Sequence, residues 1–264
     1  MISRLIPSET ERVAGVLGSE FIEEASRCFR KDGAVIIENI VDPEVIVRAR
    51  QAFDTAYTQF CSEREDVKRV GGARFMITVN LEPPFDDPQL FANPCLLPIL
   101  SAALDESFVV DAFGVICALP SATAQKVHSD GGDLFQRSDI DRLLPATAIT
   151  VAIPLIEMNE VNGTTALWLG SHRDKSRASE ESTKPIVREG SCLLWDFRLR
   201  HGGTANQGSL PRPLLYLTYC RPWFVDHKNF SEDNPKQKPL LARKAFLSGL
   251  SQQHRRLMAR VHEE

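Results

Sequence analysis

His128 and Asp130 stand two residues apart in Gln125-Lys-Val-His128-Ser-Asp130, and a second histidine lies far downstream at the head of His201-Gly-Gly-Thr-Ala-Asn206. On an extended strand, residues i and i+2 point to the same face. One segment can therefore offer an imidazole nitrogen and a carboxylate oxygen to a single point in space. An imidazole from a distant strand would complete three ligands on one side of a metal ion. Two histidines and one carboxylate, with the opposite positions open, are the arrangement expected of non-haem Fe(II) oxygenases. Taken alone the pair is weak: His-x-Asp is common, and it reads equally well as a polar strand end in water.

The surrounding sequence supplies elements that could carry such a site. Residues 19–31 place Phe21, Ile22, Ala25, Cys28 and Phe29 at helical spacing, which predicts an amphipathic helix stopped by Asp32-Gly33. The β-branched run 34–41 reads as a strand. Asp42-Pro43 then opens a second helix, with Asp42 as cap and Pro43 at its first position, running to about residue 63. Residues 64–95 are loop-rich, with one strand-like run, 74–80, between Gly71-Gly72 and Pro83-Pro84. A short helix is expected over 94–103. Short strands follow at 108–119, 147–156, 165–169, 191–196 and 214–220. Such a series suggests a sandwich or jelly roll rather than a wound parallel sheet. A helix is expected near 239–261, packed on the sheet or on a second copy of the chain as a homodimer.

Composition narrows the class. The 264 residues are 43% apolar and 25% charged, enough for one sizeable core. The net charge of −4 argues against a nucleic-acid surface. No run approaches the ~20 apolar residues that span a bilayer, and the first nine residues lack the apolar centre of a signal peptide. The six cysteines are scattered without a Cys-x-x-Cys and read as reduced core residues of a cytoplasmic protein. No dinucleotide or P-loop glycine pattern follows any strand.

The motifs in order are Gln125-x-x-His128-x-Asp130, Asn162-Gly-Thr-Thr-Ala-Leu-Trp-Leu-Gly170-Ser-His172-Arg, Gly190-Ser-Cys-Leu-Leu-Trp-Asp196, His201-Gly-Gly-Thr-Ala-Asn206 and Arg212-Pro-Leu-Leu-Tyr-Leu-Thr-Tyr219, closed by Arg221-Pro-Trp-Phe. This series, over roughly 110–225, resembles the phytanoyl-CoA dioxygenase family of Fe(II)- and 2-oxoglutarate-dependent oxygenases. The resemblance implies a double-stranded β-helix, a jelly-roll barrel with flanking helices. It forms one domain: a helical scaffold over 1–65, the barrel over about 66–225 and a helical tail over 226–264.

The resemblance also assigns roles. His128, Asp130 and His201 match the iron ligands. Arg212 matches the arginine that grips the far carboxylate of 2-oxoglutarate, a task suited to a planar guanidinium. Gln125 and Thr165 match positions that contact 2-oxoglutarate in some fungal members, and Arg74 a basic residue over the same cosubstrate. Met76 and Phe135 are candidates to face the substrate. His172 falls in a structural turn and is left out of the metal set. Asp196 could either support a ligand histidine or cap a turn, while Trp168 and Trp195 read as core. His227, His254 and His262 read as solvated.

The expected reaction oxidises a C–H bond of a small-molecule metabolite, most simply by hydroxylation, with O₂ consumed and succinate and CO₂ released. A carboxylate at 130 argues against halogenation, since halogenating relatives carry a small residue there. The loops at 64–95 and 131–146 are expected to form a lid suited to a mid-sized polar or heterocyclic metabolite of a biosynthetic tailoring pathway. No cluster of Lys and Arg is evident near the mouth for the phosphates of an acyl-CoA. Two other readings stay open: a cupin-type metalloenzyme that does not use 2-oxoglutarate, and a non-catalytic metabolite-binding barrel. Arg212 weighs against the first and the intact ligand triplet against the second.

Overall fold

The N-terminal third is a helical support laid against a sheet. A computed structural model describes residues 1–56, 68–135, 139–229 and 239–264. After a two-residue strand β1 (Arg4–Leu5) come helices α1 (Glu9–Ala14) and α2 (Ser19–Asp32), strand β2 (Ala34–Ile37) and helix α3 (Pro43–Ala56). The apolar stripe of α2 buries Ala25, Cys28 and Phe29. Asp42 caps α3, its carboxylate accepting from the Glu44 N–H at 2.8 Å. The expected continuation of this helix over 57–63 lies outside the described residues.

Strands β3 (Lys68–Gly71) and β4 (Arg74–Thr78), helices α4 (Pro88–Phe91) and α5 (Leu97–Leu104), and strands β5 (Val109–Ala118), β6 (Ala148–Pro154), β7 (Thr165–Leu167), β8 (Cys192–Asp196), β9 (His201–Gly203) and β10 (Arg212–Cys220) follow. Eight strands form one sheet in the order β1-β2-β8-β6-β10-β5-β4-β3. Apart from the parallel β1–β2 pair its neighbours run antiparallel. A smaller sheet pairs β7 with β9. Beside β9 runs the segment 125–128: Gln125 N–H donates to Gly203 O at 2.9 Å, and His128 and His201 exchange backbone hydrogen bonds of 2.9 and 2.8 Å. The large and small sheets enclose a jelly-roll interior, the double-stranded β-helix expected.

Strand alternation decides what each face does. On β10, Leu215, Leu217 and Tyr219 join the large core that the helices cover. Arg212, Leu214, Tyr216 and Thr218 point the other way and line an interior cavity. The β-rich pattern of the sequence therefore built one apolar face and one chemically mixed face from the same strand.

The tail departs from expectation. The single helix over 239–261 is broken into α6 (Lys244–Gly249) and α7 (Gln252–Leu257), flanked by β11 (Leu241–Ala242), which pairs with β12 (His262–Glu263). Leu257 and Met258 are buried in the chain's own core. His254 is not simply solvated: its ring meets Phe91 edge-on, centroids 6.0 Å apart. Cys28, Cys95, Cys117, Cys192 and Cys220 are buried and in no disulfide, as expected, while Cys61 lies outside the described residues. Among the described residues no helix is long and apolar enough to cross a membrane.

Candidate metal centre and cosubstrate pocket

The cavity between the sheets has a volume of about 630 Å³. His128, Asp130 and His201 meet on its wall. Each offers one ligand atom, and these atoms lie within 4.8 Å of one another. His201 Nε2 is 3.4 Å from Asp130 Oδ1, and His128 Nε2 is 4.0 Å from the same oxygen.

Backbone carbonyls aim both rings. His128 Nδ1 lies 2.9 Å from Lys126 O, and His201 Nδ1 lies 2.9 Å from Leu199 O. A carbonyl can only accept, so Nδ1 carries the proton and the Nε2 lone pair faces the site. Asp130 is divided in the same way. Its Oδ2 accepts from Thr150 Oγ1 and from Trp195 Nε1, each at 2.9 Å, which leaves Oδ1 to act as a single ligand atom. Lys228 Nζ donates to the carbonyls of Ser129 and Asp130 at 2.5 and 2.8 Å, pinning the backbone of this loop.

The charges are coupled. Burial alone would raise the Asp130 pKa, but the two imidazoles and the Trp195 N–H outweigh it and hold the carboxyl well below the usual carboxylate range. Burial lowers the His128 pKa, with the neighbouring His201 adding to the effect. His201 moves the other way: burial would lower it, but Asp130 and the Leu199 carbonyl raise it. The set presents one ionised oxygen and two imidazole nitrogens, a donor set that suits a ferrous ion.

Two guanidinium groups lie deeper in the cavity. Arg74 and Arg212 are 0% and 1% exposed. Arg74 Nη2 donates to Thr204 O at 2.7 Å and Thr123 O at 3.2 Å, but its Nε and Nη1 have no partner. Arg212 Nη1 faces the Met158 sulfur at 3.8 Å, and its Nε and Nη2 have no partner. Burial pushes the Arg74 pKa down to about 10, and burial together with the Arg74 charge pushes Arg212 down to about 9. Both stay cationic at neutral pH. Four buried N–H-bearing atoms without acceptors ask for an anion, because unpaired buried charge is costly. A carboxylate supplied by a ligand answers that need, so the residues present fit a dicarboxylate such as 2-oxoglutarate.

Gln125 and Thr165 frame the same end. Gln125 Oε1 accepts from the Gly203 N–H at 2.8 Å, and its Nε2 donates to Val70 O at 3.3 Å. Thr165 is buried, pairs with Gly203 across the small sheet and lines the cavity. A Cβ at position 203 would lie 2.7 Å from Arg74 Nη1 and 2.8 Å from Gln125 Oε1, so a larger residue there would displace both side chains.

Of the remaining candidates, Met76 lines the cavity. Phe135 does not: it is 52% exposed and outside the lining, because its loop is tied back by Asp141, whose carboxylate accepts from the Leu134 and Phe135 N–H groups. Asp196 supports no ligand histidine. It forms a buried fork with Arg198 at 2.9 and 2.7 Å and caps the turn through the Arg198 N–H. His172 packs against the end of α2, its Nε2 3.3 Å from Arg30 O.

Thr150 and Trp195, which hold Asp130, were not singled out by the motif reading. Thr150 is a polar residue at an inward position of a β-branched strand, and that was the only signal in the sequence. Trp195 read as core, and it is buried, but its N–H is spent on the carboxylate.

Comparison with known proteins agrees with this geometry. The family model for phytanoyl-CoA dioxygenase (PhyH) matches residues 29–214, more than half of the chain. The chain is similar to dioxygenase trt7 of Aspergillus terreus, 28% identical over 209 residues, which is 70% of this chain and 68% of that protein. It is similar to the multifunctional dioxygenase prhA of Penicillium brasilianum, 25% identical over 233 residues, covering 79% of this chain and 74% of prhA. Among solved structures, HygX from Streptomyces hygroscopicus, with nickel, 2-oxoglutarate and hygromycin B bound, aligns with a TM-score of 0.60 at 15% identity, over 77% of this chain and 88% of HygX. At that identity the likeness is one of fold. The chain is an oxidoreductase, and it belongs to the phytanoyl-CoA dioxygenase family.

Proposed function

We propose that this protein is an Fe(II)- and 2-oxoglutarate-dependent dioxygenase that oxidises a C–H bond of a small-molecule metabolite in a biosynthetic tailoring pathway. The observation that carries the reading is the pairing, in one cavity, of the His128–Asp130–His201 set with the guanidinium groups of Arg74 and Arg212, each of which keeps two buried nitrogens without an acceptor. A metal enzyme without a keto-acid cosubstrate has no use for those arginines. The solved relative HygX holds 2-oxoglutarate and hygromycin B together, which supports a cosubstrate beside a small organic substrate.

When bound, iron and 2-oxoglutarate together supply the oxidising power drawn from O₂, with succinate and CO₂ as coproducts. The chain does the rest. His128 and His201 present Nε2 and Asp130 presents Oδ1 to the metal. Arg212 and Arg74 grip the carboxylate far from the metal, and Gln125 and Thr165 shape the wall beside it. Asp130 occupies the carboxylate position, which supports oxygenation over halogenation.

Anaerobic titration with Fe(II) and 2-oxoglutarate tests the assignment. A weak visible charge-transfer band is expected, absent in His128→Ala and weakened in Arg212→Ala. Metal binding without any such band would move the cupin-type reading to the front.

A further inference from the structure

The cavity wall is arranged in levels by strand register. Arg74, Ala118 and Arg212 sit side by side on β4, β5 and β10. The next level is Met76, Ile116 and Leu214, and the next is Thr78, Gly114 and Tyr216. Beyond these, Thr218 adjoins Thr150, which adjoins Trp195. The arginine level serves the cosubstrate, and Thr150 with Trp195 serves Asp130. The two levels between them supply neither a metal ligand nor a guanidinium group for the far carboxylate.

That stretch carries two polar side chains, Thr78 and Tyr216, and of these Tyr216 lines the cavity. It is 4% exposed and lines the cavity. Among the described residues no hydrogen bond to its hydroxyl is found, and the residue faces the cavity. The phenol lies across β5: a Cβ on its cross-strand partner Gly114 would sit 2.8 Å from Oη and 2.9 Å from Cε1. Only a glycine there lets the ring lie flat with its hydroxyl between β10 and β4. Burial, with the Asp130 charge adding to it, pushes the phenol pKa up, so the group stays protonated. It is therefore a donor without a partner among the described residues, facing the cavity above the apolar side chains of Met76, Ile116 and Leu214. Buried polar groups are almost always paired, so the acceptor belongs to whatever fills the cavity.

We infer that Tyr216 is the specificity-determining donor for substrate, and that the site takes a largely apolar metabolite presenting a carbonyl oxygen to Tyr216 Oη while its hydrocarbon body rests on Met76 and Ile116. This deepens the proposed function and rests on that reading for the place of the cosubstrate.

The test compares two fluorinated probes of similar shape, 4′-fluoroacetophenone and 4-fluoro-isopropylbenzene, by ¹⁹F NMR. Protein is loaded with Zn(II) and 2-oxoglutarate, and the 2-oxoglutarate affinity is measured on the same samples. Wild type is expected to prefer the ketone by about tenfold, the value of one neutral hydrogen bond. Y216F is expected to lose that preference while keeping its affinity for the hydrocarbon and for 2-oxoglutarate. A ketone preference that persists in Y216F, or wild type that takes neither probe or both equally, overturns the inference. So does a loss of 2-oxoglutarate affinity in Y216F, which would make Tyr216 a cosubstrate contact. Failure of wild type to bind 2-oxoglutarate sinks the cofactor reading instead, and is seen separately.

Discussion

Arg74 and Arg212 flank Ala118 at one level of one sheet face, two buried guanidinium groups on strands either side of a methyl. The small residue between them leaves a slot, and the partnerless nitrogens on both sides make it an anion slot. Without ligand, like charges are held together out of water.

The first prediction concerns that strain. At a hundredfold excess over its dissociation constant, 2-oxoglutarate should stabilise the protein by about 2.7 kcal/mol. Arg212→Met should bind 2-oxoglutarate at least ~100-fold more weakly, the cost of losing a charge-assisted grip. The ligand-free variant should be no less stable than wild type, because one of two unpaired buried cations is gone. Urea midpoints with and without 2-oxoglutarate check all three, and a ligand-free variant destabilised by several kcal/mol would show that Arg212 is paired in the native state.

Trp195 and Thr150 hold the Asp130 oxygen that does not face the metal. Trp195→Phe keeps an aromatic ring but removes the donor. Iron affinity is expected to fall about 10–100-fold, the usual effect of losing such an outer partner. Competition with a chelating dye measures it, and unchanged affinity would mean that the metal orients Asp130 unaided.

Lys228 works on the same loop from the segment after the barrel, through the Ser129 and Asp130 carbonyls. Lys228→Met should loosen the loop, with faster amide exchange over 128–131 and iron affinity reduced about tenfold. Loss of a cation beside a dication would on charge alone tighten binding. An observed tightening would therefore show that the ammonium acts through charge and not through the backbone.

The thiols should be inert in the native state. Burial pushes the Cys220 thiol up to about 12 and raises Cys95 and Cys192 as well. A thiol with a raised pKa holds almost no reactive thiolate at pH 8. Iodoacetamide at that pH should modify none of Cys95, Cys192 and Cys220 until urea is added, as peptide mass spectrometry would show. Native-state labelling of Cys192 or Cys220 would contradict the packing of the sheet.

The sequence by itself determined the chemistry that depends on residue type and local spacing. His128 and Asp130 share a face because they are two apart on extended chain, and Arg212 opens β10, where strand alternation turns it inward. The helix–strand–helix start was equally legible, since an apolar stripe, a cap and a proline are local signals. Tertiary structure alone decided what crosses between strands. Thr150 and Trp195 lie 45 positions apart and become neighbours only through the β6–β8 register. Asp196 could have served a histidine, and it serves Arg198 because the turn after β8 brings that guanidinium back onto it. The tail carried helical periodicity across 239–261, but pairing of Leu241 with His262 and burial of Leu257 against the core outweighed it. Periodicity is a property of neighbouring residues, whereas register and burial depend on the whole chain, and that difference separates what could be read from what had to fold.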